Sequence, residues 1–266
     1  MLHQGVSLLR RPTSSTRGRL VIAHRGHNVA APEQTLEAYR QAIDLGAGMI
    51  EADLRFTRDG VAVMLHDRLL DRTTSGRGPV AEMDWAGLSA LDAGSWFEPK
   101  FKAERIPRLD DLFELATAQG VALCIEAKGE PGEENTRAAL FAAREIASRG
   151  RLDIDYVASF DHEALVAAAA AVSGLRTAPD RLPERGPSVA SDLIAQARRA
   201  GARVIQHHFA DLDKDVVAEV QAAGIDVWAW PMASYVEAKL AFESGAIGLM
   251  GDDVAAITKV LAEADD

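Results

Sequence analysis

The sequence predicts an α/β protein, a single (β/α)₈ TIM barrel with a short insertion after the second strand. Eight short apolar runs alternate with eight stretches of helical periodicity, the pattern of parallel strands each followed by a covering helix. The chain has 266 residues, close to the roughly 250 of one such barrel. Charged groups close several of the apolar runs, and in this architecture the C-terminal strand ends carry the chemistry.

The first run, 20–23, ends at His24-Arg25-Gly26. It is short enough for a buried strand, so its last polar residue sits where the strand leaves the core. Helical periodicity follows over 33–46, with Pro32 suited to the first turn. The second run, 48–53, ends in Glu51-Ala52-Asp53, and a spacing of two puts both carboxylates on one strand face.

The alternation is then interrupted over 55–108. This stretch opens with the turn Thr57-Arg58-Asp59-Gly60, runs through an apolar segment at 61–65 that ends in His66-Asp67, and contains Trp85, Trp96, Phe97 and Phe101. A segment between a strand and its helix lies on the catalytic rim. It reads as a lid or small insertion carrying His66 over the site, because its apolar residues are too few for a core of its own.

After a helix at 109–119, the run 121–126 ends in Glu126-Ala127-Lys128, again a pair two apart. A helix at 133–149 follows. Runs at 155–159, 175–178, 203–206, 225–230 and 246–250 then alternate with helices at 161–172, 188–200, 212–223, 234–243 and 253–263. Asp161 stands where an N-cap is wanted, and Gly224 and Gly245 where helices stop. Residues 20–266 form the expected barrel, and 1–19 read as a disordered leader.

Composition narrows the function classes. With 48% hydrophobic and 26% charged residues the chain is ordinary for a soluble protein, and a net charge of −11 argues against nucleic acid as a partner. Any phosphate site must be locally positive. Cys124 is the single cysteine, so no internal disulfide forms, and its place in an apolar run predicts a buried, inert thiol. No apolar stretch approaches the ~20 residues of a transmembrane span, and the run at 6–9 is too short for a secretory signal. A cytoplasmic protein acting on a small molecule is the expectation.

Strand-end carboxylates also cap helices or pair with arginine, and a lone histidine is more often a hydrogen-bonded surface residue than a catalyst. Singly, each tag favours that plainer reading. Together, two histidines, three acids, a lysine and an arginine at strand ends reverse the balance. Glu51, Asp53 and Glu126 would repel one another in a closed site unless something positive sat among them, and Mg²⁺ or Ca²⁺ suits oxygen ligands.

These residues resemble the glycerophosphodiester phosphodiesterase family. In family order the match comprises His24-Arg25-Gly26, Pro32-Glu33-Gln34-Thr35, Glu51-Ala52-Asp53, His66-Asp67, Glu126-Ala127-Lys128, Ser159-Phe160, Trp228 and Asp252. Arg72-Thr73-Thr74-Ser75-Gly76 and Asp92-Ala93-Gly94-Ser95-Trp96 extend it into the insertion, which resembles the short form of cytosolic bacterial members. The resemblance implies that Glu51, Asp53 and Glu126 hold Mg²⁺ or Ca²⁺, with Mn²⁺ a further candidate. It makes His24 and His66 the acid–base pair and gives Arg25 and Lys128 the phosphate oxygens. Phosphodiester cleavage independently requires a base, an acid and positive charge on the phosphoryl group. The implied reaction yields sn-glycerol 3-phosphate and an alcohol, by internal hydroxyl or water attack. Phospholipase-like cleavage of lipid or lysolipid diesters, or a non-catalytic barrel that binds a phosphometabolite, are the alternatives.

Three departures bear on the substrate. Gln34 stands for the usual Asn, Ala229-Trp230-Pro231 for Thr-Val-Asn, and Gly251 for Thr. Trp228 and Trp230, two apart, could stack on the alcohol or plug the barrel top, and Asp252 and Glu33 read as pocket or supporting carboxylates. Of His207-His208 at most one faces the site, so both stay outside the catalytic set. Asp67 orients a neighbour or caps a turn, and Ser159 is a small polar rim residue.

Overall fold

The structure, a computed structural model, describes residues 19–130 and 132–265; of the leader expected over 1–19, residues 1–18 lie outside them. The apolar runs become strands β1 (Leu20–His24), β2 (Met49–Phe56), β4 (Ala122–Ala127), β5 (Tyr156–Ser159), β6 (Arg176–Pro179), β7 (Val204–His208), β8 (Asp226–Met232) and β9 (Gly248–Gly251). β3 (Ala62–Met64) is the extra strand, formed by the apolar segment of the insertion. The helices are α1 (Leu36–Asp44), α2 (Trp85–Leu88), α3 (Leu109–Gln119), α4 (Glu133–Ser148), α5 (His162–Ala171), α6 (Ala190–Arg199), α7 (Lys214–Ala222), α8 (Tyr235–Glu243) and α9 (Val254–Asp265).

Parallel neighbours run in the order β6-β5-β4-β2-β1-β9-β8-β7. The barrel closes between β6 and β7 through a single parallel bridge, Asp180 to Gln206. There the Arg181 amide donates to Gln206 O at 2.8 Å, and the Gln206 side chain donates to Ala178 O at 2.9 Å. A side chain thus stands in for part of a ladder.

Pleating sorts the residues of each strand. One residue from each barrel strand points inward: Ile22, Met49, Cys124, Ala158, Ala178, Val204, Trp228 and Met250 pack as an interior layer, the filled core expected of this fold. Their neighbours face outward against the helices, where Ile50, Leu54, Leu123 and Ile125 meet Leu112 and Phe113. Trp228 is large for that interior, and Gly248 makes its room: a Cβ there would lie 2.3 Å from the indole.

The first helix departs from expectation. It starts at Leu36, not 33, because Gln34 adopts a left-handed φ of 59° and Thr35 is the extended N-cap, its hydroxyl accepting from Ala38 N. Pro32 therefore belongs to the preceding turn; its carbonyl accepts from the Thr35 hydroxyl at 2.7 Å. Asp161 caps α5 as anticipated, accepting from the amides of Glu163 and Ala164.

The insertion is more ordered than its composition suggested. β3 pairs antiparallel with the outer end of β2, Leu54 facing Met64 and Phe56 facing Ala62. Val63, Leu65, Leu70, Val80, Leu88, Ala93 and Ile106 form a small buried cluster within it, so the segment does possess a core. Among the described residues no helix is long and apolar enough to cross a membrane.

Candidate active site

The barrel mouth is the next inward position on every strand. Two residues beyond the interior layer stand His24, Glu51, Glu126, Phe160, Asp180, Gln206, Trp230 and Asp252, one from each strand or its end. Period two places them above the plug formed by Trp228 and its neighbours. Most of them line a cavity of about 140 Å³, which Arg25, Lys128 and His66 also enter.

The acids gather on β2 and β4, which pair in register with Asp53 opposite Glu126. Glu51, Asp53 and Glu126 each bring a carboxylate oxygen to within 4.8 Å of the others. Asp53 is fully buried and gripped from three sides. Arg25 Nε lies at 3.0 Å, Lys128 Nζ at 3.1 Å, and Gln34 Nε2 donates to it at 2.6 Å. Burial pushes its pKa up, but Lys128 and Arg25 prevail and hold it far below the usual carboxylate range. Lys128 also pairs with Glu126 at 2.6 Å. Glu51 differs: burial first, then Asp53 and Glu126, push its pKa well above the carboxylate norm. Its Oε2 accepts from the Arg25 amide at 3.2 Å, while its buried Oε1 has no hydrogen-bond partner among the described residues. An all-oxygen donor set with one orphaned buried carboxylate oxygen fits a hard divalent cation.

A tight turn carries Arg25 into this cluster. Arg25 has a φ of 58°, and at Gly26, φ 92°, a Cβ would sit 2.6 Å from Ala38. Only glycine lets the turn press against α1. Gln34 shows why an amide is needed at its strained position: it donates to Asp53 while Oε1 accepts from the buried Tyr39 hydroxyl.

Both histidines are tied to carboxylates through Nδ1. His24 Nδ1 lies 2.6 Å from Asp252 Oδ1, and His66 Nδ1 lies 2.7 Å from Asp67 Oδ1. A carboxylate at Nδ1 favours the tautomer with its proton there and a free lone pair on Nε2. Asn28 Nδ2 steadies the first pair by donating to Asp252 at 2.7 Å and to His24 O at 2.9 Å. Burial pushes His66 below its usual pKa.

His66 is carried by the insertion as expected, in a bend two residues beyond β3, and it is firmly anchored there. The Leu65 amide donates to Asp53 O at 3.0 Å, and Arg55 Nε donates to His66 O at 2.8 Å. Arg72 extends the anchorage: it donates to Asp67 Oδ2 at 2.6 Å and, through both terminal nitrogens, to Glu33 at 2.7 and 2.8 Å. Glu33 is therefore an ion-pair bridge between insertion and barrel, not a ligand.

The remaining candidates separate. Trp228, 3% exposed, lies in the interior edge-to-face with Tyr156 at 4.9 Å, so it plugs the barrel. Trp230 lines the cavity. His207 turns away to Ser188 Oγ at 3.0 Å, whereas His208 packs against Trp230. Ser159 Oγ accepts from the Asp161 amide at 3.0 Å. Asp180, Gln206, Asn28 and Arg72 were missed as site residues. The first two sit two places beyond interior residues, the same spacing that marks Glu51 and Glu126.

Two departures prove to be one change. A register shift lies between Ala229 and Met232 where β8 meets β9, and Met232 O accepts from the Asp252 amide at 2.7 Å. A Cβ at 251 would lie 2.3 Å from that carbonyl. Glycine at 251 thus accompanies the bulge around Pro231 and keeps Asp252 on His24.

The sequence profile described as the Glycerophosphoryl diester phosphodiesterase family matches residues 24–256. The chain belongs to this family. Among family relatives, a glycerophosphodiester phosphodiesterase of Caldanaerobacter subterraneus subsp. tengcongensis is 45% identical over 109 residues, 41% of this chain and 45% of that protein. One of Bacillus subtilis is 38% identical over 103 residues, 36% of this chain and 35% of that protein. The matched stretch thus spans less than half the length of these relatives. A solved Oleispira antarctica phosphodiesterase, in complex with the product sn-glycerol-3-phosphate, superposes with a TM-score of 0.81 at 28% identity. That match covers 91% of this chain and 96% of the other. A glycerophosphodiester phosphodiesterase from Agrobacterium tumefaciens gives 0.76 at 25% identity over 91% and 100% of the two chains.

Proposed function

We propose that the protein hydrolyses glycerophosphodiesters to sn-glycerol 3-phosphate and an alcohol. The observation that carries this reading is the pair of carboxylate-tied histidines, His24 and His66, lining one cavity with Arg25, Lys128, Glu51 and Glu126, with Asp53 buried behind them. The product held by the Oleispira relative supports the same reaction class.

In this scheme one imidazole Nε2 takes the proton from the attacking oxygen and the other delivers a proton to the departing alcohol oxygen. Asp252 and Asp67 fix the two rings and stabilise whichever becomes imidazolium. Arg25 and Lys128 bind the phosphate oxygens and offset charge gathering on them. Glu51, Asp53 and Glu126 would hold Mg²⁺, Ca²⁺ or Mn²⁺. Such an ion, when bound, polarises the phosphoryl group as a Lewis acid. Lys128 and Arg25 then serve a second purpose, holding Asp53 ionised for it.

Release of glycerol 3-phosphate from a panel of glycerophosphodiesters, with each metal and with chelator, tests the proposal. Chelator-sensitive release supports it; no release with any of the three metals sinks it. The phospholipase-like alternative is weakened by the rim. Leu69 and Trp96 are the exposed large apolar residues of the insertion among those described, and the same segment carries the ion pairs Asp67–Arg72 and Asp71–Arg77. That is a poor surface for entering lipid.

A further inference from the structure

The β1, β2 and β4 wall accounts for a phosphate and a metal, while the opposite wall has no part in that chemistry. Asp180, just beyond β6, is 4% exposed and lines the cavity. Its carboxylate accepts one side-chain hydrogen bond, from Gln206 Nε2 at 3.3 Å. Among the described residues no lysine or arginine forms an ion pair with it. Asp53 and Asp155, buried as deeply, have counterparts: Asp53 has Lys128 and Arg25, and Asp155 has Arg151 at 2.6 Å; Glu51, the other, faces the proposed metal. Burial first, then Glu126, push the Asp180 pKa well above the usual carboxylate range, and the main opposing charge, Lys128, is already committed to Asp53 and Glu126. A buried carboxylate without a partner is costly, so one that faces a cavity invites a cation into it.

The same wall supplies aromatic surface. Trp230 meets Phe160 edge-on at 5.8 Å and His208 at 5.7 Å. Phe160 also borders a groove of about 600 Å³ that shares Glu126 and Lys128 with the catalytic cavity, so an alcohol arm has a way out past the ring. Gln206, fixed to Ala178 O, holds the Asp180 side chain in place.

We propose that Asp180, with the Trp230 and Phe160 rings, forms the subsite for a positively charged alcohol arm of the diester, one ending in an ammonium or quaternary ammonium group. Such an arm supplies the counter-charge Asp180 lacks and presents a cation to ring faces. A neutral polyol supplies neither. This rests on the hydrolase reading and names the substrate class within it.

The test compares kcat/KM for glycerophosphoethanolamine, glycerophosphocholine and glycerophosphoglycerol in the wild type, Asp180→Asn and Trp230→Leu. The wild type should favour the two cationic diesters by about tenfold or more. Asp180→Asn should cost both cationic substrates about tenfold more than the neutral one, and Trp230→Leu should cost the choline diester most, since a quaternary ammonium depends on ring faces. No preference in the wild type, or an equal loss for all three in Asp180→Asn, overturns the proposal; equal loss would assign Asp180 to the shared glycerol arm or the metal. Choline binding alone, followed by tryptophan fluorescence, separates this from the hydrolase reading. Choline that binds the wild type but not Asp180→Asn supports the subsite even if no diester is cleaved, and equal binding to both rejects it.

Discussion

The two halves of the barrel mouth use the same strand position but are held in opposite ways. On β1, β2 and β4 the polar groups are locked to one another. Asp53 joins Arg25 and Lys128, His24 joins Asp252, and His66 is tied through Asp67, Arg72 and Glu33 back to the barrel. On β5 to β8 the wall is made of rings and one lightly bonded carboxyl, and the buried Trp230 Nε1 has no hydrogen-bond partner among the described residues. Groups that act on a phosphoryl centre must be placed to a fraction of an ångström before substrate arrives. Groups that recognise an alcohol need only offer matching shape and charge. It is on this second wall that Trp230 and Pro231 depart from the family pattern.

The sharpest way to break the comparison is at the histidines. His24→Ala and His66→Ala should each lower turnover by about 10²–10⁴-fold, with circular dichroism and thermal midpoint little changed. Full activity in either would remove it from the acid–base pair. Glu51→Gln comes next. Its orphaned oxygen becomes an amide, so divalent metal should fail to raise the thermal midpoint, whereas in the wild type the midpoint should climb with metal concentration. Calorimetry with metal alone reads this without any substrate.

Arg72→Ala tests whether the ionic wall depends on the insertion being tied down. A loss of about tenfold in kcat with little change in KM is expected, because His66 would keep its β3 anchor but lose the fixed Asp67. Acid titration checks the same link. Arg72 first, opposed by burial and aided by His66, lowers Asp67 to a pKa of about 2, so its contribution to stability is present above the unfolded value of about 4 and is lost as pH falls towards 2. In Arg72→Ala the loss should begin at higher pH, read by fluorescence of Trp85 and Trp96. The smallest effect expected is at Gly251. Gly251→Ala should cost about 1–3 kcal/mol of stability through the clash with Met232 O and lower the thermal midpoint by a few degrees, with a modest fall in activity as Asp252 shifts from His24.

Much of the candidate site's ionic wall was legible because its acids and histidines fall at strand ends in a recognisable order. Period two explains the pairs, and alternation explains the barrel. Asp180 and Gln206 carried the same spacing but stood alone, without a second charged residue two places away to draw attention. Arg72 was invisible as a support because its partners, Glu33 and Asp67, are brought to it by folding and not by spacing. The insertion's core escaped notice because its seven buried residues are spread from Val63 to Ile106, with no periodicity to gather them. Trp228 had no place legible in the sequence, because the room for its ring comes from Gly248, its register partner on the adjacent strand β9.

The closure between β6 and β7 rests on one backbone bridge and the Gln206 side chain, and Asp180 sits on that seam. The other neighbours pair over three or more registers each, and β2 and β4 over six. The seam is therefore where this cylinder is easiest to part, and its amides should exchange with solvent sooner than those of β2. A ligand gripping Asp180 would act as a clasp across the gap, making substrate itself a structural member of the barrel while it is bound.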